Sequence, residues 1–182
     1  MRETTVARTY AEALLEIARK EDAVELYAQD LLSVADLMGT EREFRLLLET
    51  PRIDPAAKKQ VLREVLADRL PDLLLKFLFI VIEKHRQRLI PAIANEYAGL
   101  VDAHFGRVQV QITTATEPDD ELRITLQHRL GELLQKEVLP RYRIDARILG
   151  GVIIRIGDRI MNGSVRRRLQ LLRRSLLKAE VT

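Results

Sequence analysis

The sequence predicts a mostly α protein, a six-helix bundle over residues 1–105 followed by a small α+β domain over residues 106–182. Three observations carry this. Up to residue 105, apolar residues recur every three or four positions between short connections, the period of amphipathic helices. At Gly106 the period drops to two: Val108, Val110, Ile112 and Thr114 alternate with Arg107, Gln109, Gln111 and Thr113, as in a half-buried strand. The charge changes as well. Residues 1–105 carry 15 Lys and Arg against 18 Asp and Glu, a net of −3, whereas residues 106–182 carry 15 against 9, a net of +6. The two parts therefore face different partners.

Within the bundle, Thr4 or Thr5 can cap a first helix whose apolar positions include Val6, Tyr10, Leu14 and Ile17. Ala7, Ala11 and Ala18 add a small-residue face where another helix can approach closely. A second helix from about Asp22 turns Val24, Tyr27, Leu31, Val34 and Met38 inward, and Gly39 is placed to stop it. Thr40 and Glu43 have the spacing of a capping box for a short third helix through Phe44, Leu47 and Leu48, ended before Pro51. Asp54-Pro55 opens a fourth helix, and Pro71 opens a fifth in the same way. Leu73–Leu75 and Phe77–Ile82 leave that fifth helix almost no polar face, so it belongs at the bundle centre or lends a side to a partner. A sixth carries Ile90, Ile93, Tyr97, Leu100 and Val101.

In the second part, Pro118 to Glu121 starts a helix with Leu122, Leu126, Leu130, Leu133 and Leu134 on its apolar positions. Pro140 reads as its end, and Ile144, Ala146 and Ile148 as a second strand. The densest stretch follows, Leu149 to Leu177. Gly150-Gly151 opens it, Val152 to Ile156 forms a strand, Gly157-Asp158 supplies a type II′ hairpin turn and Arg159 to Met161 returns. After Asn162-Gly163, Ser164 stands as N-cap of a helix whose stripe is Val165, Leu169, Leu172 and Leu176. On this reading two helices cover the sheet and Leu169 is a core position. Arg166, Arg167 and Arg168 crowd the first turn against the helix dipole, an unfavourable choice that points to a negatively charged partner.

Composition narrows the function. With no cysteine, structural disulfides and thiolate chemistry are excluded. His85, His104 and His128 are isolated, with no metal-ligand spacing, and no glycine-rich loop has the pattern of a phosphate cradle. The residues imply no catalytic, cofactor or metal site. The most hydrophobic run, Leu73–Ile82, is interrupted by Lys76 and is about half of what a bilayer span needs, so direct membrane insertion is not expected.

The residues Gly150-Gly151-Val152-Ile153-Ile154-Arg155-Ile156-Gly157-Asp158, with Gly163-Ser164-Val165-Arg166 and Leu169, resemble the signature of the delta subunit of F-type ATP synthases, the oligomycin-sensitivity-conferring protein of mitochondria. Val6-Ala7-Arg8, Tyr10-Ala11 and Ala13-Leu14 are similar too, as is the span from Leu73 through Arg88 to Tyr97, so the resemblance runs through the whole chain. Asn162 departs from it, standing where the family often has aspartate; both suit the turn. The resemblance implies a non-catalytic stator subunit without cofactors. Its N-terminal bundle would bind the N-terminal helix of an alpha subunit in a groove between the first and fifth helices, carried over as Ala7, Tyr10, Ala11, Leu14, Leu75, Phe79 and Ile82. Its C-terminal domain would hold the b subunit of the peripheral stalk, with Gly150, Gly151, Gly157, Asp158, Gly163, Ser164, Arg166, Arg167 and Leu169 as motif and docking residues. A start close to the family motif, with no transit segment, implies a bacterial protein, peripheral on the cytoplasmic face of the plasma membrane. The rival readings are a nucleic-acid-binding protein using the basic last helix, which the scarcity of aromatics and modest net charge oppose, and a helical adaptor.

Overall fold

The computed structural model describes residues 2–179, so Met1 and residues 180–182 of the two expected domains lie outside the described residues. The chain forms two compact units that divide between Val101 and Asp102. The first holds α1 (Arg2–Lys20), α2 (Val24–Thr40), α3 (Arg42–Glu49), α4 (Pro55–Leu66), α5 (Asp72–Glu83), a 3₁₀ turn at Gln87–Leu89 and most of α6 (Ile90–His104).

Each helix turns one stripe inward. Val24, Tyr27, Leu31, Val34 and Met38 are all buried on α2, as their spacing requires. Ala7, Ala11, Leu14 and Ala18 of α1 are fully buried, and α5 contributes Leu74, Leu75, Phe77, Leu78, Val81 and Ile82. Two polar groups of the interior are hydrogen-bonded to backbone carbonyls. The Tyr97 hydroxyl donates to the carbonyl of Val24 at 3.1 Å, and burial pushes its phenol up to about 12. Lys58 is only 2% exposed, and its Nζ donates to the Leu48 carbonyl at 2.7 Å in the last turn of α3, where a helix favours positive charge. Desolvation lowers the pKa of that ammonium.

Helix ends differ in part from the sequence reading. Asp54 caps α4 as expected, accepting from Ala56 N at 2.9 Å with Pro55 at the first helical position. The first helix, however, already begins at Arg2, before Thr4 and Thr5. Gly39 does not stop α2, which runs through Thr40. The Thr40 hydroxyl donates back to the Asp36 carbonyl at 3.0 Å, so it is unavailable for a capping box, and the cap position of α3 falls to Glu41 with no side-chain bond. With a single residue between the two helices there is no room for a separate stop and start. Pro71 occupies the cap position of α5 rather than its first turn.

The second unit contains β1 (Arg107–Thr114), α7 (Asp120–Leu134), β2 (Glu137–Ile144), a 3₁₀ turn at Ala146–Ile148, β3 (Val152–Ile156), β4 (Arg159–Asn162) and α8 (Val165–Ala179). The sheet order is β2-β1-β3-β4. β1 and β2 are parallel, and α7 is the crossover such a pair needs. Asp119 caps α7, accepting from Leu122 N at 2.8 Å. The core of this unit is Val110, Ile112, Leu130 and Val138, with Val108, Leu126, Leu134, Tyr142, Ile154 and Ile156 packed around it.

Two expectations fail here. Pro140 lies inside β2 instead of ending a segment, opposite Val110. An outer strand bonds on one side only and so tolerates proline. Of Ile144, Ala146 and Ile148, only Ile144 belongs to a strand; the other two form the 3₁₀ turn, which Asp145 caps through Arg147 N at 3.0 Å. The second correction concerns α8. Ser164 is its N-cap, accepting from Arg167 N at 3.2 Å, but its stripe is not core. Val165, Leu169, Leu172 and Leu176 are 39 to 67% exposed. Among the described residues of this unit, α7 is the helix that packs on the sheet. The opposite face presents Gln111, Thr113, Arg141, Arg143, Arg155 and Asn162, with Leu139, Ile153 and Ile160 interspersed, so it offers no continuous apolar surface on which a second helix could bury leucines.

Leu78→Ala is expected to lower stability by about 2–5 kcal/mol through cavity formation, and Leu169→Ala by no more than about 0.5 kcal/mol. Urea denaturation of the isolated chain checks this; comparable losses would place the α8 stripe in the core.

Candidate docking surfaces

In the first unit, the residues expected to form a groove separate into two groups. Ala7, Ala11, Leu14, Leu75 and Ile82 are interior, while Tyr10 and Phe79 are half-buried. The rings show which edge of α5 faces α1. Tyr10 meets Phe77 edge-on with centroids 6.2 Å apart. Phe79 instead lies beneath α4, with Lys59 Nζ 5.9 Å and the Arg63 guanidinium 5.5 Å from its centroid. Lys59 is also paired with Glu83, which ties α4 to the end of α5. The edge of α5 beside α1 therefore carries Phe77 with its helical neighbours Leu73 and Ile80, not Phe79. Ile80 is 48% exposed, and Val6, Tyr10 and Leu73 are half-buried at the surface. The all-round hydrophobicity of α5 hid this choice of edge from the sequence; Tyr10 was the usable signal.

In the second unit, Gly150, Gly151 and Gly163 of the motif are brought together at a close backbone crossing. Gly151 has φ +73°, and a Cβ there would lie 2.5 Å from the Gly163 carbonyl oxygen, so only glycine fits. Gly163 N donates to the Val152 carbonyl at 2.9 Å and Val165 N to the Gly150 carbonyl at 3.0 Å. Asn162 Oδ1 accepts from Ser164 N at 3.1 Å and from Ser164 Oγ at 2.7 Å. Gly157 has φ +54° and sits with Asp158 at the β3–β4 turn, as a type II′ hairpin requires. Arg166 and Arg167 line a cavity of about 380 Å³, while Leu169 stands on the exposed stripe. Arg155 of the signature and Arg143, which the sequence reading did not single out, line an adjoining cavity of about 370 Å³. Arg143 escapes the sequence reading because β2 begins before Pro140, whereas that reading starts its second strand at Ile144. Among the described residues there is no group of three or more His, Cys, Asp or Glu able to hold a metal, and no helix long and apolar enough to cross a membrane.

Comparison with known proteins decides the family. The ATP synthase delta (OSCP) subunit family matches residues 6–176. The chain belongs to this family. It is 44% identical over 172 residues to the ATP synthase subunit delta of Gemmatimonas aurantiaca, covering 94% of this chain and 93% of that one. It is 35% identical to that of Salinibacter ruber, covering 100% and 96%. A chain of the Toxoplasma gondii mitochondrial ATP synthase hexamer shares the fold, with a TM-score of 0.66 and 22% identity over 94% of this chain and 97% of that one. As a delta-family member the chain is a structural stator subunit and not an enzyme, and the nucleic-acid reading is not favoured.

One carboxylate near α8 is already committed. Both oxygens of Asp145 accept from the Arg147 guanidinium at 2.9 Å. That side chain and the Arg147 backbone N–H hold the Asp145 carboxyl at about 2. Because the folded value lies below the unfolded one, the contribution is present above the ordinary aspartate range and fades as pH falls toward 2. Carboxyl NMR titration is expected to find the Asp145 midpoint near that value and to find it raised in Arg147→Ala, which removes the guanidinium and keeps the backbone N–H; an unchanged midpoint would mean the guanidinium does not set it.

Proposed function

We propose that this chain joins the catalytic head of an F-type ATP synthase to its peripheral stalk. The first unit binds the alpha-subunit N-terminal helix, and the second binds the b subunit. Association with the synthase follows the names of its relatives; the division of partners between the units is the finer reading. The observation that carries it is the uncovered stripe of α8. A capped helix that leaves four apolar residues in water within its own fold has its burial partner elsewhere. A partner helix that is apolar on one side and acidic on its flanks would meet both the leucines and the arginines beside them.

The head-binding face is assigned to the α1–α5 pair through Tyr10, Phe77, Leu73 and Ile80, with Val6 at its edge. Ala7, Ala11 and Leu14 support it from inside by letting α1 seat closely on the bundle. Phe79 belongs to the α4 side. In this arrangement the first unit holds by its groove and the second by α8, so each can be weakened without the other.

The mechanism is mechanical. Rotation of the central shaft puts torque on the head, and a connector must transmit the opposing force without letting go. That demands two faces with slow dissociation and no reactive group. The proposed location is the cytoplasmic side of a bacterial plasma membrane, held there by the complex and not by a span of this chain.

Pull-down of the synthase head and of the b subunit with full-length variants tests the assignment. Ile80→Asp or Tyr10→Asp is expected to weaken head capture and spare b. Leu172→Asp is expected to do the reverse. Loss of head capture by Leu172→Asp with retained b binding would overturn the division of labour.

A further inference from the structure

The sheet face that α7 leaves bare has a chemistry that α8 and its leucines do not use. The register places Arg141, Gln111, Arg155 and Ile160 side by side across the four strands, and Arg143, Thr113, Ile153 and Asn162 in the next row. Two adjoining cavities, of about 370 and 380 Å³, share Asp145, Arg147, Ile153 and Asn162, so they form one trough from the sheet to the start of α8. Each alone has the size of a small-ligand pocket.

Ile148, Ile153 and Ile160 form the apolar part of the trough, and most of its polar groups are donors. Arg143, Arg155, Arg166 and Arg167 have no carboxylate within ion-pair distance among the described residues. Its one acidic group, Asp145, is bound bidentately by Arg147 and also feels the charge of Arg143. The Asn162 oxygen is occupied by Ser164, which leaves its amide N–H groups uncommitted. Thr113 and Gln111 add a hydroxyl and an amide between the two sheet arginines. Guanidinium forks with neutral donors between them are the groups that recognise oxyanions bidentately. Arg143 and Arg155 are rooted two strands apart, roughly 10 Å, and Arg166 and Arg167 lie beyond Asn162. A single small anion cannot engage all of them; several linked anionic centres can.

We propose that this trough binds an oligophosphate chain, either free or carried by a nucleotide. The proposal stands apart from the stalk assignment, because its two anchoring residues, Arg143 and Arg155, are on the sheet and not on α8. A flat docking face for protein would gain nothing from concavity, whereas a phosphate chain gains several charge-assisted bonds from it. The arginines that oppose the dipole in the first turn of α8 acquire a role here, since a bound polyanion compensates them.

Titration calorimetry of the full chain with sodium tripolyphosphate, pyrophosphate and ATP at matched ionic strength tests this. Tripolyphosphate is expected to bind saturably with one site, and the Arg143→Gln/Arg155→Gln double variant to weaken it by about tenfold or more. Arg129→Gln on α7 should bind as the parent does, and Arg143→Lys/Arg155→Lys, retaining charge without the fork, should fall between. An unchanged melting temperature in the double variant confirms that the fold is intact. ATP binding tighter than tripolyphosphate marks the nucleotide as the source, and equal affinities mark the phosphate chain. The proposal is overturned if the double variant binds as the parent does, if sulfate competes equally, or if polyglutamate of similar charge binds as tightly and is equally weakened by the double variant.

Discussion

The second unit depends on the place where Gly150-Gly151 passes Gly163-Ser164. The backbones there are too close for a side chain at Gly151, and two hydrogen bonds fasten the approach. This crossing fixes where α8 leaves the sheet. Because Val165 N is bound to the Gly150 carbonyl, the helix starts at the end of the hairpin and meets the rest of the unit chiefly at the 3₁₀ turn of Ala146–Ile148. The leucine stripe is thereby kept off the sheet, and the arginine-lined face is left open.

The consequence is a division between surface used for folding and surface kept for partners. The first unit buries six of the twelve residues of α5 yet leaves Ile80 outside beside the half-buried Tyr10 and Leu73. The second packs α7 against one face of β1, β2 and β3, with β4 exposed, and leaves α8 uncovered. A subunit whose task is to hold needs such unburied apolar faces, and tolerates them because assembly covers them. Nothing in the arrangement calls for a reactive group, which agrees with a family of structural stator subunits.

Much of this was legible in the chain. The α2 stripe, the Asp54 cap, the β3–β4 hairpin and the Ser164 cap each rest on local chemistry, which a sequence displays directly. What failed depended on neighbours. Pro140 is harmless only because β2 lies at the edge, and edge position is a property of the sheet order. Gly39 and Thr40 misled because two helices share one connecting residue. The stripe of α8 has the same period whether it meets a sheet or a partner, so periodicity could not say which. The same limit explains α5: with apolar residues all round, only the Tyr10–Phe77 contact reveals its orientation.

The central claim is that the α8 stripe is bare in the free chain and covered in the assembled synthase. Since the chain has no cysteine, Leu172→Cys supplies a single thiol in this subunit, and its modification rate can be followed before and after assembly. The account predicts rapid labelling of the free chain and strong protection in the complex. Equal rates in the two states, or protection already present in the free chain, would contradict it.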